Sequence, residues 1–240
     1  MLLLRSALFN AWFFGLTVVM GLVGVAVRWF APARTLDYAR TWVRFVLAGA
    51  RVICGIRWEV SGRENLAPGA ALIASQHQSA FDTLVWALIV PKVSYVYKSE
   101  LARIPLFGPM LVASGQIPLD RAASVGAVRK LLREAARAKT EGRQIVIFPE
   151  GTRVAPGEEV QLRAGVGVLA SRIRLPVVPA ATDSGRVWPR RAFRKRPGCV
   201  HIHIGEPIPP DLPQEVLIGT LRQRWREAGL LDKLVDNSVD

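Results

Sequence analysis

The chain is 240 residues long, half of them hydrophobic, with a formal charge of +13 and a mean hydropathy of +0.24. That length admits one sizeable domain plus an appendage, and the basic field selects anionic partners such as phosphorylated substrates, lipid headgroups or nucleic acid. The two cysteines, Cys54 and Cys199, are far apart and the three histidines form no HExxH, which excludes a disulfide framework, a zinc knuckle and a histidine-rich metal site.

The first element is apolar. Residues 7–27 carry no charge, and at about 1.5 Å per residue a helix of that length spans a hydrocarbon core. A cleaved signal peptide fits poorly, because the run exceeds the usual apolar core of about 7 to 15 residues and Arg28 and Trp29 interrupt the approach to Ala31-Pro32-Ala33. Residues 36–53 predict a second, amphipathic helix on which Arg40, Arg44 and Arg51 recur at near-helical spacing. Its basic side suits lipid phosphates, and its apolar side suits either acyl chains or packing on a following domain. Residues 1–54 therefore read as a two-helix membrane anchor. The basic residues after the first helix favour the cytoplasmic face of the inner membrane for the remainder, by the positive-inside rule. Gly15, Gly21, Gly24 and Pro32 leave a hairpin and a single crossing both open.

From residue 55 to 240 the pattern alternates. Short β-branched runs predict strands at 56–60, 71–74, 93–97, 116–119, 144–148, 177–181 and 200–204, with helical periodicity at 81–89, 122–140, 162–172 and 214–228. This is one α/β domain with a mostly parallel central sheet flanked by helices. Gly165-Val166-Gly167-Val168-Leu169-Ala170 matches a dinucleotide fingerprint in letters only; it starts inside a helical pattern, so close helix packing is the expectation. His201 and His203 alternate on a late strand with no third ligand evident, and a half-exposed strand face is expected there without a metal. The basic run from Arg186 to Arg196 lacks interleaved aromatics of the RNA-binding kind, so no nucleic-acid partner is expected.

The chemistry concentrates after the second strand, in Ser75-Gln76-His77-Gln78-Ser79-Ala80-Phe81-Asp82. On a continuous helix a spacing of five turns about 500°, putting His77 and Asp82 on different faces. They meet if His77 lies in the strand–helix loop and Asp82 in the first helical turn, where a carboxylate accepts the Nδ1 proton and leaves Nε2 as a general base. Ser79 is no rival nucleophile, since no GxSxG surrounds it. Three further strand ends supply cations: Lys98 opens Lys98-Ser99-Glu100, Arg121 closes Gly115-Gln116-Ile117-Pro118-Leu119-Asp120-Arg121, and Arg153 closes Phe148-Pro149-Glu150-Gly151-Thr152-Arg153. Converging on one crevice, they would make a phosphate clamp.

These motifs, in this order, resemble the glycerolipid acyltransferase family, and most of all its bacterial 1-acyl-glycerol-3-phosphate acyltransferases. His77 and Asp82 match its HxxxxD motif, the stretch from Lys98 through Gly108 to Arg121 its second motif, Phe148 to Arg153 its FPEGTR motif, and Val178-Pro179 its Val-Pro motif. Gln76 departs from the family's frequent Asn, and Ala180-Ala181 is a second departure. The resemblance implies an enzyme that moves a fatty acyl group from acyl-CoA or acyl carrier protein to the sn-2 hydroxyl of 1-acyl-sn-glycerol-3-phosphate (lysophosphatidic acid), giving phosphatidic acid for phospholipid biosynthesis. His77 would act as base and Asp82 would orient it. Arg153, Lys98 and Arg121 would hold the phosphate, and Glu150 with Gly151 and Thr152 would shape the glycerol site. It implies no cofactor or metal, and as partners the bilayer, the lysolipid and the donor. Another lysolipid, such as a lyso-ornithine lipid, or glycerol-3-phosphate is the alternative acceptor. A basic peripheral membrane protein with an inactive acyltransferase fold is the alternative outside enzymes.

Overall fold

The computed structural model describes residues 1–120 and 125–230. It opens with a long helix α1, Leu2–Phe30, then a single 3-10 turn, Pro32–Arg34, and helix α2, Thr35–Cys54. Three side chains of the pair set its direction. Trp12 Nε1 donates to Phe45 O at 3.2 Å, Trp42 Nε1 to Thr17 Oγ1 at 3.2 Å, and the Tyr38 hydroxyl to Met20 O at 2.6 Å, so the helices run antiparallel. Gly49 makes the crossing possible, since a Cβ there would overlap the Trp12 indole. Helix α2 stops at Gly55, whose φ of 72° only glycine adopts cheaply and whose N–H reaches back to Arg51 O.

The seven strands are β1 Ile56–Ser61, β2 Ala71–Ser75, β3 Val93–Lys98, β4 Ile117–Leu119, β5 Gln144–Ile147, β6 Val177–Thr182 and β7 Gly198–Ile204. They form one sheet in the order β1-β7-β6-β2-β5-β3-β4, parallel at every pairing except β6 with β7. Successive side chains of the central strands enter different cores, as the two-residue period of a strand requires. Ala71 and Ile73 of β2 join Phe9, Val46, Leu47 and Trp86 on the face carrying α1, α2 and α3, Asp82–Ile89. Leu72 and Ala74 join Leu131, Leu169 and Leu221 on the face carrying α5, Val125–Thr140, α6, Gly165–Ile173, and α7, Gln214–Glu227. A strand buried on both faces needs an unbroken apolar run, which is why Ala71–Ser75 reads without alternation.

Two features depart from the expectations. Helix α4, Phe107–Ala113, has only seven residues and includes Gly108 and Pro109, so it shows no usable periodicity. It is launched by Leu106 at φ 64°, ψ −45°, with Phe107 N–H bonded to Pro105 O at 2.7 Å, a strained γ-turn that sets Leu106 against Gly21 of α1. The second departure concerns the arginines of α2. Arg40 donates from Nε to Ala87 O and from Nη1 to Pro91 O, both at 2.9 Å, covering the open carbonyls at the C-terminal end of α3. Only Arg44 and Arg51 remain exposed, so the basic side does not belong wholly to lipid. As expected, Gly165–Ile173 is a packed helix, with Gly167 against Gln214 of α7.

Trp86 of α3 is 1% exposed and its Nε1 donates to Ser75 Oγ, directly before the Gln76-His77 loop. Trp86→Ala is expected to destabilise the fold by about 3–5 kcal/mol through lost burial and the cavity left behind. Denaturant titration in detergent measures this, and a loss below about 1 kcal/mol would mean the surroundings collapse into the space.

Candidate active site

Strand β2 ends at Ser75, and the chain then leaves the sheet at the carboxyl edge of its parallel strands, where open α/β sheets form their crevice. Asp82 stands at the first position of α3 and is 2% exposed. Its Oδ2 accepts three hydrogen bonds: from His77 Nδ1 at 3.2 Å, Gln78 N–H at 2.7 Å and Ser79 N–H at 2.8 Å. The His77–Asp82 contact thus has the loop-to-first-turn geometry that the five-residue spacing needs. With Nδ1 committed to a carboxylate, Nε2 is the nitrogen left to take up a proton. Asp82 Oδ1 is buried without a hydrogen-bond partner among the described residues.

The segment after β5 holds His77 from the other side. Phe148, Pro149, Glu150 and Gly151 make a β-turn closed by Gly151 N–H to Phe148 O at 2.9 Å, with Pro149 setting the second position and Gly151 at φ 67°. Glu150 Oε2 accepts the His77 backbone N–H at 2.6 Å, and Val154 N–H donates to His77 O at 2.8 Å. The Phe148 ring stacks on the imidazole at 4.2 Å between centroids. From the β6 side, Gln76 accepts Thr182 N–H and Gln78 accepts Gly185 N–H. The imidazole therefore meets any ligand with its backbone, ring plane and Nδ1 already fixed.

Glu150 lies 8% exposed on a partly open pocket of about 50 Å³ that Gln76, Gln78, Leu162 and Trp225 also line. A space of that size holds water, not a lipid. Burial, reinforced by the Asp82 charge and offset by the His77 N–H, pushes the Glu150 carboxyl from 4.5 to about 8. Arg153 is half-buried in the same segment, and burial lowers its guanidinium below its ordinary value while Asp82 acts to raise it.

A histidine held by a buried aspartate on an α/β sheet suits general-base chemistry, and comparison with known proteins gives it a family. Residues 57–183, more than half of the chain, match the family model described as Acyltransferase. The chain belongs to the acyltransferase family. A 1-acyl-sn-glycerol-3-phosphate acyltransferase of Pseudomonas aeruginosa is 33% identical over 192 residues, spanning 80% of this chain and 75% of that one. One from Saccharomyces cerevisiae is 29% identical over 191 residues, spanning 78% of this chain but only 61% of its own length. The crystal structure of the 1-acyl-sn-glycerophosphate (LPA) acyltransferase PlsC from Thermotoga maritima superposes with a TM-score of 0.76, covering 98% of both chains at 21% identity. That likeness extends the shared fold through the two N-terminal helices.

Of the three cations expected to form a phosphate clamp, Arg153 and Lys98 lie among the described residues. Arg153 is near enough to Asp82 for its guanidinium to feel that charge. Lys98 is exposed at the end of β3, with β5 lying between its strand and β2. Arg121 lies outside the described residues. Gly151 and Thr152 lie in the turn, Thr152 exposed. A cation not singled out from the sequence does reach the site: Arg190 Nη1 donates to Arg153 O at 2.8 Å. Sequence reasoning also missed Gln78, 3% exposed, and the backbone-holding bond of Glu150. The hint for Arg190 was its place in the dense basic run, but nothing in that run indicates which arginine bonds the segment after β5.

The Glu150 carboxyl yields a pH signature. The folded protein retains this proton up to about pH 8 while an unfolded chain releases it near 4.5, so the folded state binds more protons between those values. Stability accordingly falls as pH rises through that window and levels off above it. Glu150→Gln keeps an oxygen for the His77 N–H and is expected to remove this slope. Thermal midpoints of both proteins at several pH values check it; a wild-type advantage that grows with pH would show that Glu150 is ionised in the folded state.

Proposed function

We propose that this chain transfers a fatty acyl group from acyl-CoA or an acylated carrier protein to the sn-2 hydroxyl of 1-acyl-sn-glycerol-3-phosphate, forming phosphatidic acid. The observation that carries the reading is the His77 imidazole held at Nδ1 by buried Asp82. His77 Nε2 takes the proton from the acceptor hydroxyl as its oxygen attacks the thioester carbonyl. The tetrahedral intermediate collapses, the C–S bond breaks, and the thiolate leaves with the proton returned by the imidazolium. Asp82 stabilises the imidazolium through the Nδ1 proton. Arg153, with Lys98 and Arg121, holds the acceptor phosphate, and Glu150, Gly151 and Thr152 shape the wall next to it. The thioester is already activated, so the chemistry calls for positioning and exclusion of water, with no cofactor.

Residues 1–54 serve as the membrane anchor and residues 55–240 as the catalytic domain in this reading. Helix α1 is long and apolar enough to cross a bilayer, with a mean hydropathy of 1.9 over its best window, and that window is only 11% buried. Leu8, Val18, Leu22 and Trp29 are among its exposed side chains. An apolar face next to basic residues suits the anionic cytoplasmic leaflet of the inner membrane.

His77→Ala is expected to lower turnover by about 10²- to 10⁴-fold in a protein that still folds. Assays in vesicles with a panel of lysophosphatidate, glycerol-3-phosphate and a phosphate-free lysolipid, each with both donor types, measure it. Near-normal turnover in the folded variant would exclude the base, and transfer to the phosphate-free acceptor alone would exclude the proposed substrate.

Arg153→Ala is expected to raise the acceptor KM at least tenfold while leaving the donor KM within about twofold, because a guanidinium grips phosphate through two parallel hydrogen bonds. Arg153→Lys restores little of it. Equal changes for both substrates would assign Arg153 to holding its own turn.

A further inference from the structure

Strands β1 and β7 form the edge of the sheet farthest from β4, and their face on the side of α7 lies beyond the helices and is open. Cys199 and His201 project on this face from alternate positions of β7, and Glu59 is paired in register with His201 from β1. Their donor atoms, the Cys199 sulfur, a ring nitrogen of His201 and a carboxylate oxygen of Glu59, all lie within 4.8 Å of one another. His203, the next residue on the face, is turned away and bonds Ser61 Oγ through Nδ1 at 3.0 Å. Strand pairing thus brings Glu59 and Cys199 to His201, a grouping that the alternation of His201 with His203 along β7 does not reveal.

A second observation concerns what lies behind His201. Asp183, 3% exposed, bonds His201 Nδ1 with Oδ2 at 2.9 Å and its backbone N–H with Oδ1 at 2.7 Å. Nε2 is therefore the free nitrogen, and the ring is fixed by a buried carboxylate, the arrangement that orients histidines which ligate metals. The geometry points to a binding site for a thiophilic divalent cation, Zn²⁺ in the first instance, formed by Cys199, His201 and Glu59 with Asp183 as its positioning residue. A thiolate, an imidazole and a carboxylate favour zinc over magnesium or calcium, and a water completes a tetrahedral shell. Zinc–ligand distances of about 2.0 to 2.3 Å require the donors to draw together by roughly an ångström, which rotation of exposed Glu59 and half-exposed Cys199 supplies. The cation enters as the Cys199 thiol gives its proton to solvent. Occupied, the site would pin edge strand β1 to β7, which lie far apart in sequence. It would also fix Asp183, which starts the turn whose Gly185 N–H holds Gln78 next to His77.

The test uses the full chain in detergent, titrated first with Co²⁺ as a coloured substitute and then with Zn²⁺ in competition with a chromophoric chelator. The expected results are a thiolate-to-cobalt charge-transfer band saturating at one equivalent and displaced by zinc, absent in Cys199→Ser. Zinc affinity should fall at least tenfold in His201→Gln and in Glu59→Gln, and stay unchanged in His203→Asn. Circular dichroism of each variant establishes that it folds. Absence of the band overturns the proposal, as does a band that persists in Cys199→Ser and so belongs to Cys54. Binding that needs Cys199 but neither His201 nor Glu59 is a lone-thiolate complex and overturns it as well.

Discussion

Taking the Asp82 carboxylate out of water is costly unless donors meet it, and the shape of the loop before α3 follows from meeting it. Two backbone N–H groups, of Gln78 and Ser79, turn inward to Oδ2, and this turn carries His77 to the third approach on the same oxygen. The negative charge also stands at the N-terminal end of α3, where the helix dipole favours it. One short helix and two amides thus settle where the imidazole goes. Trp86 underneath holds α3 to the end of β2 through Ser75, so the sheet edge and the helix cannot shift independently.

Glu150, the second acid of the site, stands in a different environment. Asp82 has three donors on one oxygen, whereas among the described residues Glu150 has the His77 N–H alone and faces a small, partly open pocket. Buried and thinly supplied with donors, the Glu150 carboxyl resists ionisation. The Glu150 proton retained toward pH 8 removes a negative charge from beside the His77 backbone. Arg153 and Arg190 then lie in a field that is less neutralised by acid than the sequence alone implies.

The legible parts of this structure are those with local causes. All seven strands and the helices α3, α5, α6 and α7 follow from apolar runs, β-branched content and periodicity, and the His77–Asp82 geometry follows from where strand and helix meet. What was not legible depends on contacts between distant segments. The direction of Arg40 is set by open carbonyls of a helix some fifty residues later, which no pattern within α2 reveals. The γ-turn at Leu106 is held because Gly21 leaves room for it, a matter of two surfaces and not of either sequence. The grouping of Glu59 with Cys199 and His201 needs the parallel pairing of β1 with β7, which closes a separation of about 140 residues. Pairing across such a distance is fixed by the whole sheet.

The same reasoning bears on how α1 can use its apolar surface. Near its start Ser6 Oγ accepts Lys195 N–H, Asn10 Oδ1 accepts Lys195 Nζ at 2.7 Å, and Phe9 meets Trp188 edge-on at 5.1 Å. Near its end Gly21 and Gly24 accept Leu106 and Met110 of the α4 region. These two docking points are separated by about half the helix, about 20 Å at the rise of an α-helix. A helix standing across a bilayer would have to give up at least one of them, and releasing the first would strand the Lys195 amine. That group is 4% exposed, lowered by burial, and balanced by Asn10, Phe193 O and three aromatic rings. The contacts therefore support a helix that stays docked along its length and offers only its outer face to lipid. In that arrangement the helix lies along a membrane surface and does not cross it.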